Sequence, residues 1–146
     1  MGADATFHRL NPYNFNLEKT MSAKPMLCSF KTCPWVQRAA IVLRAKNIEY
    51  DITYIDRNNR PDWFLKISPH AKVPVLRHGA ATIWETLAIA EYLADLYPQA
   101  PIWPADRLAR AHARVVASEM HAGFMDLREK MPMNIRASMP GKGMTP

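Results

Sequence analysis

Two side chains in this sequence can act as soft nucleophiles, the thiols of Cys28 and Cys33, and no further cysteine is present. Cys33 opens the stretch Cys33-Pro34-Trp35-Val36-Gln37-Arg38. A C-x-x-C redox site would carry its second thiol at position 36, where this chain has valine. A dithiol site resolves its own mixed disulfide, whereas a lone thiol needs a second thiol compound from solution. Pro34 suits the first position of a helix, where its fixed φ and missing N–H cost least. Cys33 then stands where free backbone N–H groups and the helix dipole favour an anion such as a thiolate. Two readings of Cys33 stand at this point: a nucleophile, or a small residue tolerated at a helix N-cap. Cys28, on the apolar run just before, reads as core packing.

The elements that must position this thiol follow from periodicity. Residues 25–30 form a short apolar run that predicts a buried strand. Lys31 and Thr32 turn the chain into a helix striped by Val36, Ala39, Ala40 and Leu43, ending near Asn47. Residues 49–55 alternate polar and apolar and predict a second strand, hence a β-α-β unit with a parallel pair. Pro61 starts a short helix through Trp63, Phe64 and Leu65 that Ser68-Pro69 stops. Val73-Pro74-Val75-Leu76-Arg77 predicts a third strand, and His78-Gly79 a tight turn into its partner Ala81-Thr82-Ile83-Trp84. Glu85 opens a third helix bearing Leu87, Ala88, Ala90, Leu93 and Leu96. This order, β-α-β, α, β-β-α, predicts a thioredoxin-like α/β domain over residues 25–97.

Residues 98–104 carry three prolines and read as a stiff linker. Residues 106–131 predict one long helix striped by Val116, Met120, Phe124, Leu127 and Met131, so that residues 105–146 read as part of an all-α domain. That stripe needs cover, from the first domain, from another chain, or from a longer protein of which this is the front part. Residues 1–24 are polar and aperiodic and read as a flexible extension. Trp63, Phe64 and Trp84 are expected in the core, and Arg107, Arg110 and Arg114 on a solvated face.

Composition excludes more than it specifies. The chain has 146 residues, 49% hydrophobic and 22% charged, as a folded soluble protein does. No apolar run reaches the roughly 18 residues of a membrane span, and the N-terminal segment does not read as a secretory signal. Two cysteines are too few for a disulfide scaffold, so a reducing, cytoplasmic setting is expected. The net charge is +6, but Lys and Arg are spread without a dense block. No nucleic-acid partner is therefore expected, and such a surface equally suits anionic small molecules. The five histidines show no ligand spacing with either cysteine, so no metal is expected.

Four linked features resemble the glutathione transferase superfamily, in its cysteine-type, omega-like branch and its bacterial relatives. They are Cys33-Pro34-Trp35-Val36-Gln37-Arg38 after the first strand, Arg60-Pro61-Asp62-Trp63-Phe64, Lys72-Val73-Pro74-Val75-Leu76, and Trp84-Glu85-Thr86 leading to Ile89-Ala90-Glu91-Tyr92-Leu93. The linker and long helix are similar to the family's passage into its all-helical second domain, which the resemblance makes truncated here. The resemblance implies a glutathione-dependent thiol transferase or reductase, with glutathione as cosubstrate and Cys33 forming the mixed disulfide. It implies a cis Val73–Pro74 bond, with the Val73 backbone pairing with the cysteinyl part of glutathione. Glu85 would take the γ-glutamyl ammonium, Thr86 its carboxylate, and Arg60 the glycine-end carboxylate. The bland alternatives are a helix cap for Glu85 and Thr86 and a solvated loop for Arg60. Trp35 would shield the thiol or pack on the helical domain. A small electrophile or disulfide is the implied second substrate, and a homodimer is implied where the helical domain is whole. Two other activities stay open: conjugation, in which glutathione itself attacks an electrophile, and a non-catalytic interaction module.

Overall fold

In the computed structural model, which describes residues 23–141, the first apolar run forms β1 (Met26–Ser29), with Leu27, Cys28 and Ser29 buried. Helix α1 (Pro34–Ala45) returns the chain to β2 (Asp51–Tyr54), which pairs with β1 in parallel. Helix α2 (Asp62–Ile67) leads to β3 (Val75–His78), antiparallel to the other edge of β1. A hairpin brings in β4 (Ala81–Trp84), and α3 (Thr86–Leu96) follows. The sheet order β2-β1-β3-β4 is that of the thioredoxin-like fold read from the sequence. The chain divides between Ile102 and Trp103 into two compact units.

The helices form where the apolar spacing requires them. Val36, Ala39, Ala40 and Leu43 make the buried stripe of α1, and Ile89, Ala90 and Leu93 that of α3, which packs on α1. Each fully buried leucine or phenylalanine contributes about 1.5–3 kcal/mol. Helix α2 has six residues, too few to hold itself in water. Its one buried side chain, Phe64, fastens it to the core. Buried Ser68 ends α2, accepting from Lys72 N (3.0 Å) and donating to Lys72 O (2.8 Å). That pair of bonds fixes the loop before Val73.

Several expectations are corrected. His78, placed in a turn by its Gly79 neighbour, is instead the last residue of β3 and fully buried. The strand's alternation leaves Arg77 outside and turns His78 inward, so the bend moves to Gly79, at φ 57°, and Ala80. Nε2 of His78 donates to the Ala23 carbonyl (2.6 Å). In the neutral ring Nδ1 then accepts from the Tyr92 hydroxyl (2.9 Å). Ala23 is thereby held, and Lys24 pairs with Asp51 at 2.7 Å. The chain is fastened from these residues onward rather than flexible through residue 24, and the expectation for residues 1–22 lies outside the described residues. Trp63 and Trp84, expected in the core, are 41% and 39% exposed. Neighbours on a helix point about 100° apart, so α2 buries Phe64 and turns Trp63 outward, while Trp84 ends an edge strand.

In the second unit the single long helix is replaced by α4 (Arg107–Ala122) and α5 (Met125–Lys130). The break falls at Gly123, in extended conformation, and Phe124, at φ 62°. A Cβ on Gly123 would lie 2.9 Å from the Glu119 carbonyl oxygen, so only glycine fits without a shift. The Arg128 guanidinium bridges the break by donating to the carbonyls of Gly123 and Met120. Asp106 caps α4 by accepting from Ala109 N (2.7 Å). Arg107 and Arg114 are exposed, as expected of a solvated face, and Arg110 is half-buried. Arg110 donates to the Pro104 and Ala105 carbonyls, and Arg114 stacks 5.5 Å from the Trp103 ring centroid. No residue of α4 or α5 is buried, and no helix among the described residues is long and apolar enough to cross a membrane.

Replacing His78 by leucine strands the Tyr92 hydroxyl and the Ala23 carbonyl. The expected loss of unfolding free energy is about 1–3 kcal/mol, against about 1 kcal/mol for Tyr92→Phe, which removes a single hydroxyl. Urea midpoints measure both, and an unchanged midpoint in His78→Leu would remove this bonded pair from the stability of the unit.

Candidate functional site

Cys33 is the N-cap of α1, in extended conformation (φ −87°, ψ 115°), with Pro34 opening the helix. Its N–H donates to the Phe30 carbonyl and its own carbonyl accepts from Gln37 N, both at 3.3 Å. The thiol makes no capping hydrogen bond and is partly exposed. It faces a cavity of about 400 Å³ that Arg60 and Val73 also line. Phe30 and Trp35 supply aromatic walls. The Arg60 guanidinium lies 5.9 Å from the Phe30 ring centroid, and the Trp35 ring carries Arg38 at 4.6 Å. The Val73–Pro74 peptide is cis, and the Val73 side chain is buried in the core cluster.

Glu85 and Thr86 do not line this cavity. They form the start of α3, where Thr86 is buried and its hydroxyl donates to the Trp35 carbonyl (3.3 Å). That bond ties α3 to the first turn of α1 and turns the hydroxyl hydrogen inward, so outward the α3 terminus offers its backbone N–H groups. Glu85 caps the helix at φ 68°, ψ 131°, a conformation that costs a non-glycine residue on the order of 1–3 kcal/mol and clusters at ligand sites.

Two lining cations escaped the sequence reading. Arg57 and Lys72 join Arg60 around the Cys33 cavity. The available signal was their position, three residues before the Arg60-Pro61 motif and immediately before Val73-Pro74. Cys28 is fully buried and unbridged. Burial pushes its thiol up from 9.0 to about 11, and the nearby Arg77 charge pulls the other way. Among the described residues, no group of three His, Cys, Asp or Glu side chains could hold a metal ion.

Residues 27–101 match the family described as glutathione S-transferase, N-terminal domain. The chain is similar to a probable glutathione transferase of Aplysia californica, 38% identical over 85 residues that make up 58% of this chain and 92% of that one. It is similar to glutathione S-transferase omega-2 of Rattus norvegicus, 35% identical over 89 residues, 60% of this chain and 36% of that one. Among solved structures it is similar to a rice GST in complex with glutathione, at 32% identity and a TM-score of 0.67, covering 73% of this chain and 51% of that one. The chain therefore spans about half of the rice protein and about a third of the rat one.

The raised Cys28 thiol gives stability a sign against pH. The fold favours the protonated thiol, so its contribution is full below pH 9.0 and is lost as pH rises towards about 11. Tyr92 and Tyr97, both pushed up by burial, add to the same alkaline loss. Urea midpoints are expected to fall over that interval, and to fall less steeply in Cys28→Val. Equal slopes in the two proteins would take Cys28 out of the account.

Proposed function

The chain belongs to the glutathione S-transferase family, and on that premise we propose that it is a glutathione-dependent thiol transferase with Cys33 as its nucleophile. The observation that carries this reading is an accessible thiol at the first turn of α1, facing a cavity of about 400 Å³, within the size range of small-molecule sites. The Cys33 thiolate attacks a sulfur of a glutathionylated substrate, an S–S bond forms to Cys33, and the other half leaves as thiolate. The thiol stands at the first turn of α1, beside that helix's free N–H groups. Resolution comes from outside: position 36 holds a buried valine and Cys28 is sealed in the core. A glutathione thiolate attacks the mixed disulfide, glutathione disulfide departs, and Cys33 is regenerated.

In the proposed pose the Val73 backbone pairs with the cysteinyl part of glutathione and Arg60 takes the glycine-end carboxylate. The γ-glutamyl end lies at the α3 terminus, its carboxylate at Thr86 and the first-turn N–H groups and its ammonium at Glu85. Pairing of two copies through the helical region and a cytoplasmic setting belong to the same proposal. Conjugation has one specific support, Thr32, a residue of the cavity lining that carries a hydroxyl of the kind that holds a glutathione thiolate.

Cys33→Ser is expected to lower thiol transfer from a glutathionylated peptide by at least about a hundredfold, as loss of a nucleophile does, while Thr32→Ala retains it. Transfer that survives Cys33→Ser would end the proposal. Conjugation of an aryl halide that persists in Cys33→Ser and disappears in Thr32→Ala would put the second reading in its place.

A further inference from the structure

Helices α1 and α3 begin at the sheet end that carries Cys33 and finish at the opposite end, where β1 and β2 start. A second cavity opens there, of about 560 Å³, larger than the one beside Cys33. Its walls are the chain after α1 from Lys46 to Glu49, the chain after α3 at Tyr97 and Gln99, and residues 23–25. The third wall is fastened. The Ala23 carbonyl accepts from His78 Nε2 (2.6 Å), the Pro25 carbonyl accepts from Asp51 N (2.8 Å), and Lys24 pairs with Asp51 at 2.7 Å. The two helix ends differ in charge. That of α1 carries Arg44 in its last turn and Lys46 as its C-cap, and the N–H groups of Lys46, Asn47 and Ile48 turn back to the carbonyls of Val42, Arg44 and Leu43. That of α3 has no basic residue in its last turn. Tyr97 N closes on the Leu93 carbonyl, but the Ala94 carbonyl finds no N–H four residues on, because position 98 is proline. The α3 end is thus an uncompensated negative pole, and Glu49 belongs to the same lining. Neither Lys46 nor Glu49 forms an ion pair among the described residues.

We infer that this cavity binds a small zwitterion, an ammonium and a carboxylate carried on a short apolar body, as in an α-amino acid. The ammonium is met by the last carbonyls of α3 and by Glu49, and the carboxylate by Lys46. Hydrogen bonds with a charged partner are roughly twice as strong as neutral ones, so both ends of the ligand contribute. A simple anion meets the negative pole of α3, and a simple cation meets Lys46, so neither suits the site as well. Pro25 and Ile48, both buried, supply an apolar floor for the body of the ligand. Burial pushes the Tyr97 hydroxyl up, which keeps it a neutral donor and acceptor. The site shares no residue with the Cys33 cavity and stands whether or not Cys33 transfers thiols.

Three probes test it: phenylalanine, N-acetylphenylalanine, which lacks the ammonium, and phenylalaninamide, which lacks the carboxylate. Each is titrated into the isotope-labelled full chain at about pH 6, where α-amino groups are protonated, and the backbone amide signals of Ile48, Glu49, Gln99 and Ala100 report occupancy. Phenylalanine is expected to shift them saturably. Both derivatives are expected to bind about tenfold or more weakly, the scale of one lost hydrogen bond to a charged group. Lys46→Glu is expected to reverse the order of phenylalanine and its amide, and Cys33→Ser to leave all three affinities unchanged. The comparison of probes on the unaltered chain decides the matter if Lys46→Glu does not fold. Equal affinities for the three probes mean an apolar contact only and overturn the inference. So does the absence of any saturable shift, or an order of affinities unmoved by Lys46→Glu in the folded variant.

Discussion

The constraint on which the rest depends is the burial of β1 between two partners. Its four residues pair with β2 on one side and β3 on the other, and Leu27, Cys28 and Ser29 are closed off from solvent. Register then decides where every loop emerges. Ser29 lies opposite Tyr54, so the chain leaves β1 and β2 at the same end of the sheet. Cys28 lies opposite Val75, so β3 begins at that end, and Val75 lies opposite Trp84, so β4 finishes there. Cys33, the loop with Arg57 and Arg60, Val73 and the Glu85-Thr86 start of α3 are distant in sequence. One parallel and two antiparallel pairings bring them to one sheet end.

What converts nearness into a defined site is a set of short anchors. Phe64 holds α2 against the core and with it the end of the loop carrying Arg60. Ser68 closes on both sides of Lys72 and so fixes the approach to Val73. Thr86 bonds the Trp35 carbonyl and joins the first turns of α3 and α1. Each anchor is buried, and each acts on backbone near a residue that reaches the cavity or its rim. Helix termini supply oriented N–H groups at no cost in reorganisation, which is why a fold of short strands can offer an anion two separate docking points.

The strands and helices were legible in the sequence because their signals are local. Val36, Ala39, Ala40 and Leu43 announce α1 by spacing alone, and Pro34 marks its first position. The cis Val73–Pro74 bond was reached through the resemblance and not through physics. The errors arise where partners are remote. His78 looked like a turn residue because Gly79 follows it, and the groups that satisfy it, Ala23 and Tyr92, are invisible from its neighbourhood. Arg57 drew no notice and Lys72 only as the start of the Lys72-Val73-Pro74 run, and only the sheet register sets them around one cavity. The long helix was overextended because the apolar stripe runs through Gly123 unbroken, although a lone glycine weakens a helix and here admits the close approach of Glu119.

The two cysteines show how far position outweighs residue type. Cys28 lies inside the central strand, where burial holds its thiol protonated up to about 11. Cys33 lies past the strand end, at the cap of a helix and on the wall of a cavity. Val36 occupies the place of a second redox thiol and is fully buried within the α1 stripe, so the packing that stabilises α1 is made by the side chain that leaves Cys33 without a partner. The other cysteine, Cys28, is fully buried, so the exchange proposed for Cys33 draws its second thiol from solvent. The wall of the cavity beside Cys33 carries Arg57, Arg60 and Lys72 and no aspartate or glutamate, a charge balance that favours anions over cations among the compounds that reach it.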